Sequence, residues 1–393
     1  MKKLTLLLIS CICCQIATAQ WNLITSPVTT NLLSVYAIND SCVAASGATN
    51  IVRSVNGGAS WTTPLSVGGS TFSCIASGST DYWYSLTSNS TALGRVGNPI
   101  GVSYVTGAPT GINGLCFTTD STAFAVGNTG LIEITNNAGV SWATQISGTV
   151  ATLTSVCFTD TLIGYAVGTG GKIIKTIDRG TNWTQLTSGT TSNLYSVHFP
   201  CADTGYAVGA LGIMLRTVDA GATWTMPYPP FPNDIRGVFF TSPTNGYNVG
   251  AGGTIMTTTN AGNSWSNMSS PTTNLLYSVH FSSPTTGWAV GANGVILKFG
   301  SIPTSIRNPI AENISTECSP NPFNDGFHIY VSGNNDKNVL VKISDITGKI
   351  IYSEMFENFG FEKYIRPELL KPGMYFAEIS SGEFKMVKKM VKE

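Results

Sequence analysis

Tryptophan recurs in this chain at a fixed interval: Trp142, Trp183, Trp224 and Trp265 stand 41 residues apart. Trp61 precedes Trp142 by 81 residues, close to two periods, and Trp21 precedes Trp61 by 40. Self-similarity at this length marks a solenoid or a propeller. The residues between tryptophans decide which. One unit reads Leu153-Thr-Ser-Val-Cys-Phe158, Gly164-Tyr-Ala-Val-Gly168, Gly171-Lys-Ile-Ile-Lys-Thr176 and Asp178-Arg-Gly-Thr-Asn-Trp183. These are four short apolar runs divided by Gly, Thr, Asn and Asp, with no helical period. Four strands in about 40 residues make a propeller blade.

The opening strand of the unit occurs seven times, at Leu32–Val35, Thr71–Cys74, Ile112–Leu115, Leu153–Val156, Leu194–Val197, Ile235–Val238 and Leu276–Val279. The fold expected for residues 20–299 is therefore an all-β, seven-bladed β-propeller. The seventh unit stops after strands at 276–281, 286–291 and 294–299, without a Trp. Trp21-Asn-Leu-Ile24 is a fourth-strand sequence with no blade before it. The N-terminal strand is expected to complete blade seven and close the ring, which leaves no long strand edge to aggregate.

A turn signature, Ser/Thr-x-Asp/Asn-x-Gly-x-x-Trp, precedes Trp61, Trp142, Trp183, Trp224 and Trp265. Asn56, Asn137, Asp178, Asp219 and Asn260 can accept backbone amides two residues on and fold the turn. The Gly that follows suits a positive φ, and the Trp is expected to fill the space between blades. In the second unit the signature has decayed, with Asn98 in register and Ser103 or Tyr104 near the Trp position. Residues 21–299 thus resemble the Asp-box, or neuraminidase-repeat, propellers, and are most similar to the photosystem II stability/assembly factor-like family. The resemblance implies the fold. The repeat is scaffold, so it carries little about function, and the family's photosystem partner is not expected here.

The ends of the chain speak to location. Residues 1–19 read as a secretory signal: Met1-Lys-Lys, an apolar run to Ile16, then Ala17-Thr-Ala19 before the cleavage point. The run is too short to span a bilayer as a helix, and no other stretch offers a transmembrane segment. Leu8-Ile-Ser-Cys11 also reads as a lipoprotein box, although the apolar region continues past it. After Phe299 the composition shifts: residues 21–299 hold 17 charged side chains, residues 300–393 hold 23 in a third of the length. Residues 300–317 are expected to be a linker. Residues 318–393, with alternating runs and tight turns, are expected to form a small β-sandwich. Ser319-Pro-Asn-Pro-Phe323, Asp345-Ile-Thr-Gly-Lys349, Pro372-Gly-Met-Tyr375 and the terminal Lys-rich strand resemble the type A C-terminal sorting domain of the Bacteroidetes type IX secretion system. Met374 departs from the family's smaller or branched residue. The resemblance implies partners in the type IX machinery and its sortase, and export to the outer surface or medium.

Catalytic chemistry is hard to find. The mature chain has Cys42, Cys74, Cys116, Cys157, Cys201 and Cys318. They form no framework of spacings, so buried free thiols are expected, with one disulfide at most. His198 and His280 share one position two blades apart with no third ligand in register, so core histidines are expected rather than a metal site. No cofactor is expected. The enzyme alternative is a glycoside hydrolase of sialidase-like or xyloglucanase-like propeller type. Sialidases need an arginine triad, but Arg53, Arg95, Arg179, Arg216 and Arg236 are the propeller's only arginines, and Arg179 lies within a turn. Glycosidases need two facing carboxylates. Here Asp40, Asp120, Asp160 and Asp203 recur between first and second strands as turn formers.

Three departures from the repeat remain. Glu133 stands where other units have Val52, Ile174, Leu215, Met256 and Leu297; a one-residue bulge is expected to turn it outward, because burial of a lone charge is costly. Arg53, Arg95, Lys175, Arg216 and Lys298 put one basic side chain per blade on a ring, either a solvated rim or a docking surface for an acidic partner. The loop Met226-Pro-Tyr-Pro-Pro-Phe-Pro-Asn-Asp234 carries Tyr228 and Phe231, which suit peptide or glycan stacking or else packing onto the neighbouring blade. A net charge of zero argues against nucleic acid. The expectation is an exported, non-catalytic binding or display module for an extracellular protein or glycan.

Overall fold

Short apolar runs between turn residues fold here as adjacent antiparallel strands. Leu153–Phe158, Gly164–Gly168, Ile173–Thr176 and Thr184–Leu186 form one sheet in chain order. The computed structural model describes residues 20–392 apart from 67–70, 79–81, 88–92, 98–101, 106–109, 228–230, 301–314, 320, 324–325, 333–337, 358–360, 367–370 and 382–383. The expected signal at 1–19, Asn98, Tyr228 and most of the expected linker lie outside the described residues, as does the side chain of Arg95. The chain divides into two compact units, Met1–Pro303 and Thr304–Glu393.

Among the described residues the first unit contains seven such sheets. We number them one to seven by their first strands: Ser34–Ala37, Phe72–Ala76, Ile112–Phe117, Leu153–Phe158, Leu194–His198, Ile235–Phe240 and Leu276–Ser283. The first strand of each sheet contacts that of the next, and Ser34–Ala37 contacts the first strands of both sheet two and sheet seven. Trp21–Ile24 pairs antiparallel with Ile296–Phe299 in sheet seven, in the register Trp21 to Phe299 and Ile24 to Ile296. Sheet five has three strands and a single bridge, Arg216 to Thr225, where a fourth would lie. Pro227 follows two residues later and has no N–H to continue the ladder.

Second strands such as Gly164–Gly168 and Gly205–Gly209 are buried at every residue, because sheets cover both of their faces. The contact between sheets is aromatic. Phe158 of sheet four stacks on Phe124 of sheet three at 4.2 Å, and Trp183 meets Phe158 edge-on at 6.3 Å and 87°. Phe199 on Tyr165 with Trp224, and Phe240 on Tyr206 with Trp265, repeat the arrangement. The offset and edge-on geometries satisfy the ring quadrupoles. The repeating Trp therefore braces its own sheet's Phe, and that Phe spans to the neighbour. Trp21 takes the same place in sheet seven, against Phe281 at 5.8 Å, with Phe281 stacked on Tyr247 of sheet six at 4.3 Å.

Two details correct the sequence reading. Glu133 pairs with Ala125 as Ile174 pairs with Ala166, so no bulge intervenes. Glu133 is 8% exposed, facing inward, and accepts a 2.7 Å hydrogen bond from Thr144 Oγ1; that bond makes the buried position tolerable. In sheet two, Arg95 pairs with Ser103 as Lys175 pairs with Thr184. The Trp position there belongs to Val102, one residue before Ser103.

The second unit holds a three-stranded sheet in the order Ser315–Ser319, Phe327–Ser332, Phe361–Ile365 and a four-stranded sheet in the order Ile350–Phe356, Val339–Asp345, Gly373–Ser381, Phe384–Lys392. Side chains from both sheets share one core, including Phe327, Ile329, Val341, Ile343, Ala377 and Ile379. The motif residues act as ties. Asp345 Oδ1 accepts the N–H groups of Thr347 and Lys349 at 2.9 and 3.1 Å, and Gly348 takes φ +83°. Asn321 accepts the N–H of Val391 and donates to the carbonyl of Lys389, both at 2.9 Å, pinning the opening segment to the last strand. Tyr375 donates its hydroxyl to the Lys371 carbonyl at 2.7 Å.

Trp21 is 3% exposed and touches three aromatic rings. Trp21→Ala is expected to cost about 3–5 kcal/mol, the usual loss for a large core aromatic, and deletion of residues 20–26 at least as much. Urea denaturation of the two variants checks this; a loss below about 1 kcal/mol would show that the strand is dispensable.

Candidate functional site

The Asp-box turns form a clasp between sheets. Within each turn the geometry repeats: Asp178 Oδ1 accepts from Asn182 N–H at 2.9 Å and from the Thr176 hydroxyl at 2.8 Å, while Thr176 Oγ1 accepts from Gly180 N–H at 2.9 Å. These bonds hold the Asp178 carboxyl below its usual range, with Asn182 the main cause; the Thr223 hydroxyl and N–H lower Asp219 to about 2. The glycine is required twice over. Gly221 has φ +82°, and a Cβ there would lie 2.9 Å from the ring of Tyr165 in the preceding sheet. Tyr165 in turn donates its hydroxyl to the Ala220 carbonyl at 2.8 Å, and Tyr206 to Ala261 at 2.7 Å.

Three residues of the basic ring, Lys175, Arg216 and Lys298, belong to this clasp. Lys175 Nζ donates to the Ala220 carbonyl of the next sheet's turn at 2.8 Å, and Lys298 Nζ to the Gly57 carbonyl at 2.9 Å. Arg216 reaches Asn263 of the following turn at 2.7 Å. Lys175 and Lys298 also lie over the rings of Tyr165 and Trp288, both at 5.3 Å. Arg53 and Lys298 are 3% and 5% exposed, and burial lowers the pKa of each. Side chains placed this way brace neighbouring sheets. Phe231 is half-buried against the cluster that includes Tyr206, Ile235 and Phe240, and its N–H donates to the Gly212 carbonyl at 3.0 Å.

Two rings of side chains run around the axis where the first strands meet. The inner ring holds Tyr36, Ala76, Cys116, Cys157, His198, Phe239 and His280, one from each sheet in equivalent register. Phe239 lies between His198 at 4.6 Å and His280 at 4.7 Å, and His280 lies 4.3 Å from Tyr36. His280 Nδ1 accepts the Ala37 N–H at 3.3 Å. Burial lowers His198 to about 4 and His280 to about 3, and raises the Cys116 and Cys157 thiols to about 12 and about 11. Cys42, Cys74, Cys116, Cys157, Cys201 and Cys318 form no disulfide; Cys74 is buried, Cys201 is exposed and the others are half-buried. Among the described residues no group of three metal-ligating side chains is gathered.

The outer ring is a cavity of about 160 Å³ lined by residues of all seven first-strand segments. Ser34, Ser155, Ser196 and Ser278 each accept the N–H of the first strand of the next sheet, at 3.2–3.4 Å. One position earlier the sheets diverge. Asn113 and Thr154 donate to the carbonyls of Leu153 and Leu194 at 3.0 and 2.7 Å, and Ser73 donates to Ile112. The same position in sheets five to seven holds Tyr195, Arg236 and Tyr277. Arg236 lies over the Tyr195 ring at 4.0 Å and pairs with Asp234 at 3.0 Å. Sequence reading missed this trio because it weighed Arg236 only against a sialidase triad. The signal was present: three bulky polar residues in a position filled by Leu33, Ser73, Asn113 and Thr154 in the other sheets.

Residues 318–393 match the secretion system C-terminal sorting domain. Residues 134–228 match the photosynthesis system II assembly factor YCF48 family. No curated protein matches the chain in sequence. Among solved structures, YCF48 bound to D1 peptide is 15% identical with a TM-score of 0.62, over 74% of this chain and 98% of that one. YCF48 from Cyanidioschyzon merolae is 17% identical at 0.58, over 72% and 99%. A virginiamycin B lyase from Staphylococcus aureus is 13% identical at 0.63, over 72% and 100%. Identities this low establish a propeller-like fold and nothing about ligands.

The two histidines make an acid-sensitive core. An unfolded histidine takes a proton below about pH 6.5, whereas His198 and His280 do so in the folded protein only near 4 and 3. Between these values the unfolded chain binds more protons, so stability is full above about 6.5 and falls as pH drops towards 4. His198→Phe, which copies Phe239, is expected to flatten this slope. Urea midpoints measured between about pH 7.5 and pH 4.5 check it; Asp178 and Asp219 contribute only below about pH 4.

Proposed function

We propose that the protein is an exported binding module: a seven-bladed propeller, closed by its N-terminal strand, that the type IX system carries to the cell surface or medium. The sorting-domain match at 318–393 carries this reading. The tie of Asn321 to the last strand and the Asp345–Lys349 turn support it, because both build motif residues into a folded sandwich. The pairing of Trp21–Ile24 with Ile296–Phe299 supports ring closure. Edge control supplies the reason, since an exported propeller with an open edge would present a template for aggregation.

The propeller's role is binding rather than catalysis. Its axial cavity is lined by hydroxyls, an amide, two tyrosines and a guanidinium. Such groups recognise a polar ligand, whereas glycoside hydrolysis uses an acid pair across the bond. An extracellular protein or glycan is the partner class.

Truncation after residue 317 is expected to leave a folded propeller in the periplasm of a host with a type IX system, while the full chain reaches the surface. Fractionation with immunoblotting and protease shaving reads the outcome. Surface delivery of the truncated chain would overturn the export reading.

A further inference from the structure

We propose that the axial cavity is a binding site for a small carboxylate, anchored by Arg236 and flanked by Tyr195 and Tyr277. The proposal deepens the binding reading above by naming a site and a ligand chemistry.

Among the described residues, Arg236 is the only charged residue lining the cavity. Its setting is prepared on two sides. Asp234 Oδ2 takes one guanidinium N–H at 3.0 Å, and Asp234 Oδ1 is itself held by the Leu211 N–H at 2.9 Å. The Tyr195 ring supports the guanidinium plane at 4.0 Å. A guanidinium has five donors. Asp234 engages one, and Nε is buried and meets no acceptor among the described residues. Arg216 Nε in the clasp is left the same way, so the open donor at Arg236 counts because Arg236 lines a cavity, where a ligand oxygen can complete the set. Arginine's planar fork suits a carboxylate, with charge-assisted bonds roughly twice as strong as neutral ones.

The repeat itself shows that these side chains are not needed for the ring. In sheets two to four the same position is served by Ser73, Asn113 and Thr154, which donate to the next strand. Tyr195, Arg236 and Tyr277 replace that tie with bulk on one side of the cavity. The result is a lopsided pocket: guanidinium and phenol groups on one side, short hydroxyl and amide groups with Leu33 on the other. About 160 Å³ corresponds to about five waters at their liquid volume of about 30 Å³ each, room for the carboxylate end of an acid whose remainder extends through the open mouth of the cavity. The carboxylate could be that of a sugar acid or of a peptide end, and the chemistry at Arg236 is the same for both.

Isothermal titration of the full-length protein with glucuronate, glucose and glycylglycine tests the site. Glucuronate or glycylglycine is expected to bind and glucose not; which of the two carboxylates binds more tightly assigns the source. Arg236→Gln is expected to weaken carboxylate binding about tenfold or more, and Arg236→Lys less, because it keeps the charge but loses the fork. Tyr195→Leu, which leaves Arg236 and Asp234 in place, is expected to weaken it severalfold and serves if Arg236→Gln does not fold. Binding that is equal for glucuronate and glucose, unchanged in these variants, or absent for both carboxylates would overturn the proposal. If a surface pull-down with Arg236→Gln still captured the wild-type partner, the binding reading would stand and this site would fall.

Discussion

Every part of the propeller depends on how one sheet grips the next. The grip is a single carbonyl-centred clasp. A turn held open by Gly at positive φ presents its backbone oxygen to the preceding sheet, where a tyrosine hydroxyl and a lysine amine converge on it, as at Ala220. The tyrosine ring fills the space that a Cβ on the glycine would need. Polar and apolar contacts thus share one locus: the ring supplies buried area and the carbonyl supplies direction. Area alone would let sheets slide, and a buried carbonyl with no donor would be costly. Together they set the spacing and tilt of neighbouring sheets.

That clasp explains why two patterns that looked separable in the sequence are one device. The Gly-Tyr-Ala-Val-Gly strand and the Asp-box turn are about a dozen residues apart within a unit, yet their contacts are between units. The basic residue two positions before the turn completes the same contact. A ring of cations suggested a docking surface, but Lys298 lies at 5% exposure with its amine on Gly57 and its chain over Trp288. Regular placement of charge in a repeat reflects a regular structural need. Function is better sought where the repeat breaks.

The breaks gather on the axis. Tyr195, Arg236 and Tyr277 stand where sheets two to four hold Ser73, Asn113 and Thr154, and the Pro-rich segment ending at Asp234 delivers the carboxylate that orients Arg236. At the inner ring, His198 and His280 replace apolar neighbours and stay neutral under burial. The same axial packing that makes the strands uniform leaves their innermost side chains free to vary, because these side chains face one another rather than a sheet.

The 41-residue period, the turn chemistry and the strand spacing were legible in the sequence alone, and with them the all-β class and the sorting motifs. These are local properties: a turn needs its Asp and Gly within a few residues, and a strand needs its alternation. The pairing of Trp21–Ile24 with Ile296–Phe299 was legible too, because a missing element at one end matched a spare one at the other. Partners between units were not. Glu133 was expected outside, but strand register keeps it in, and Thr144 of the next strand satisfies it. Each Trp was expected between blades, as Trp61 against Trp288 of sheet seven shows, but the Phe of its own sheet that Trp183, Trp224 and Trp265 each brace, and that stacks on the neighbour, was not foreseen. The stacking of Arg236 on Tyr195, 41 residues away, exists only once first strands stand side by side around an axis. Sequence periodicity determines what each unit is; the tertiary ring alone decides which side chains from different units meet, because those distances are set by packing and not by chain separation.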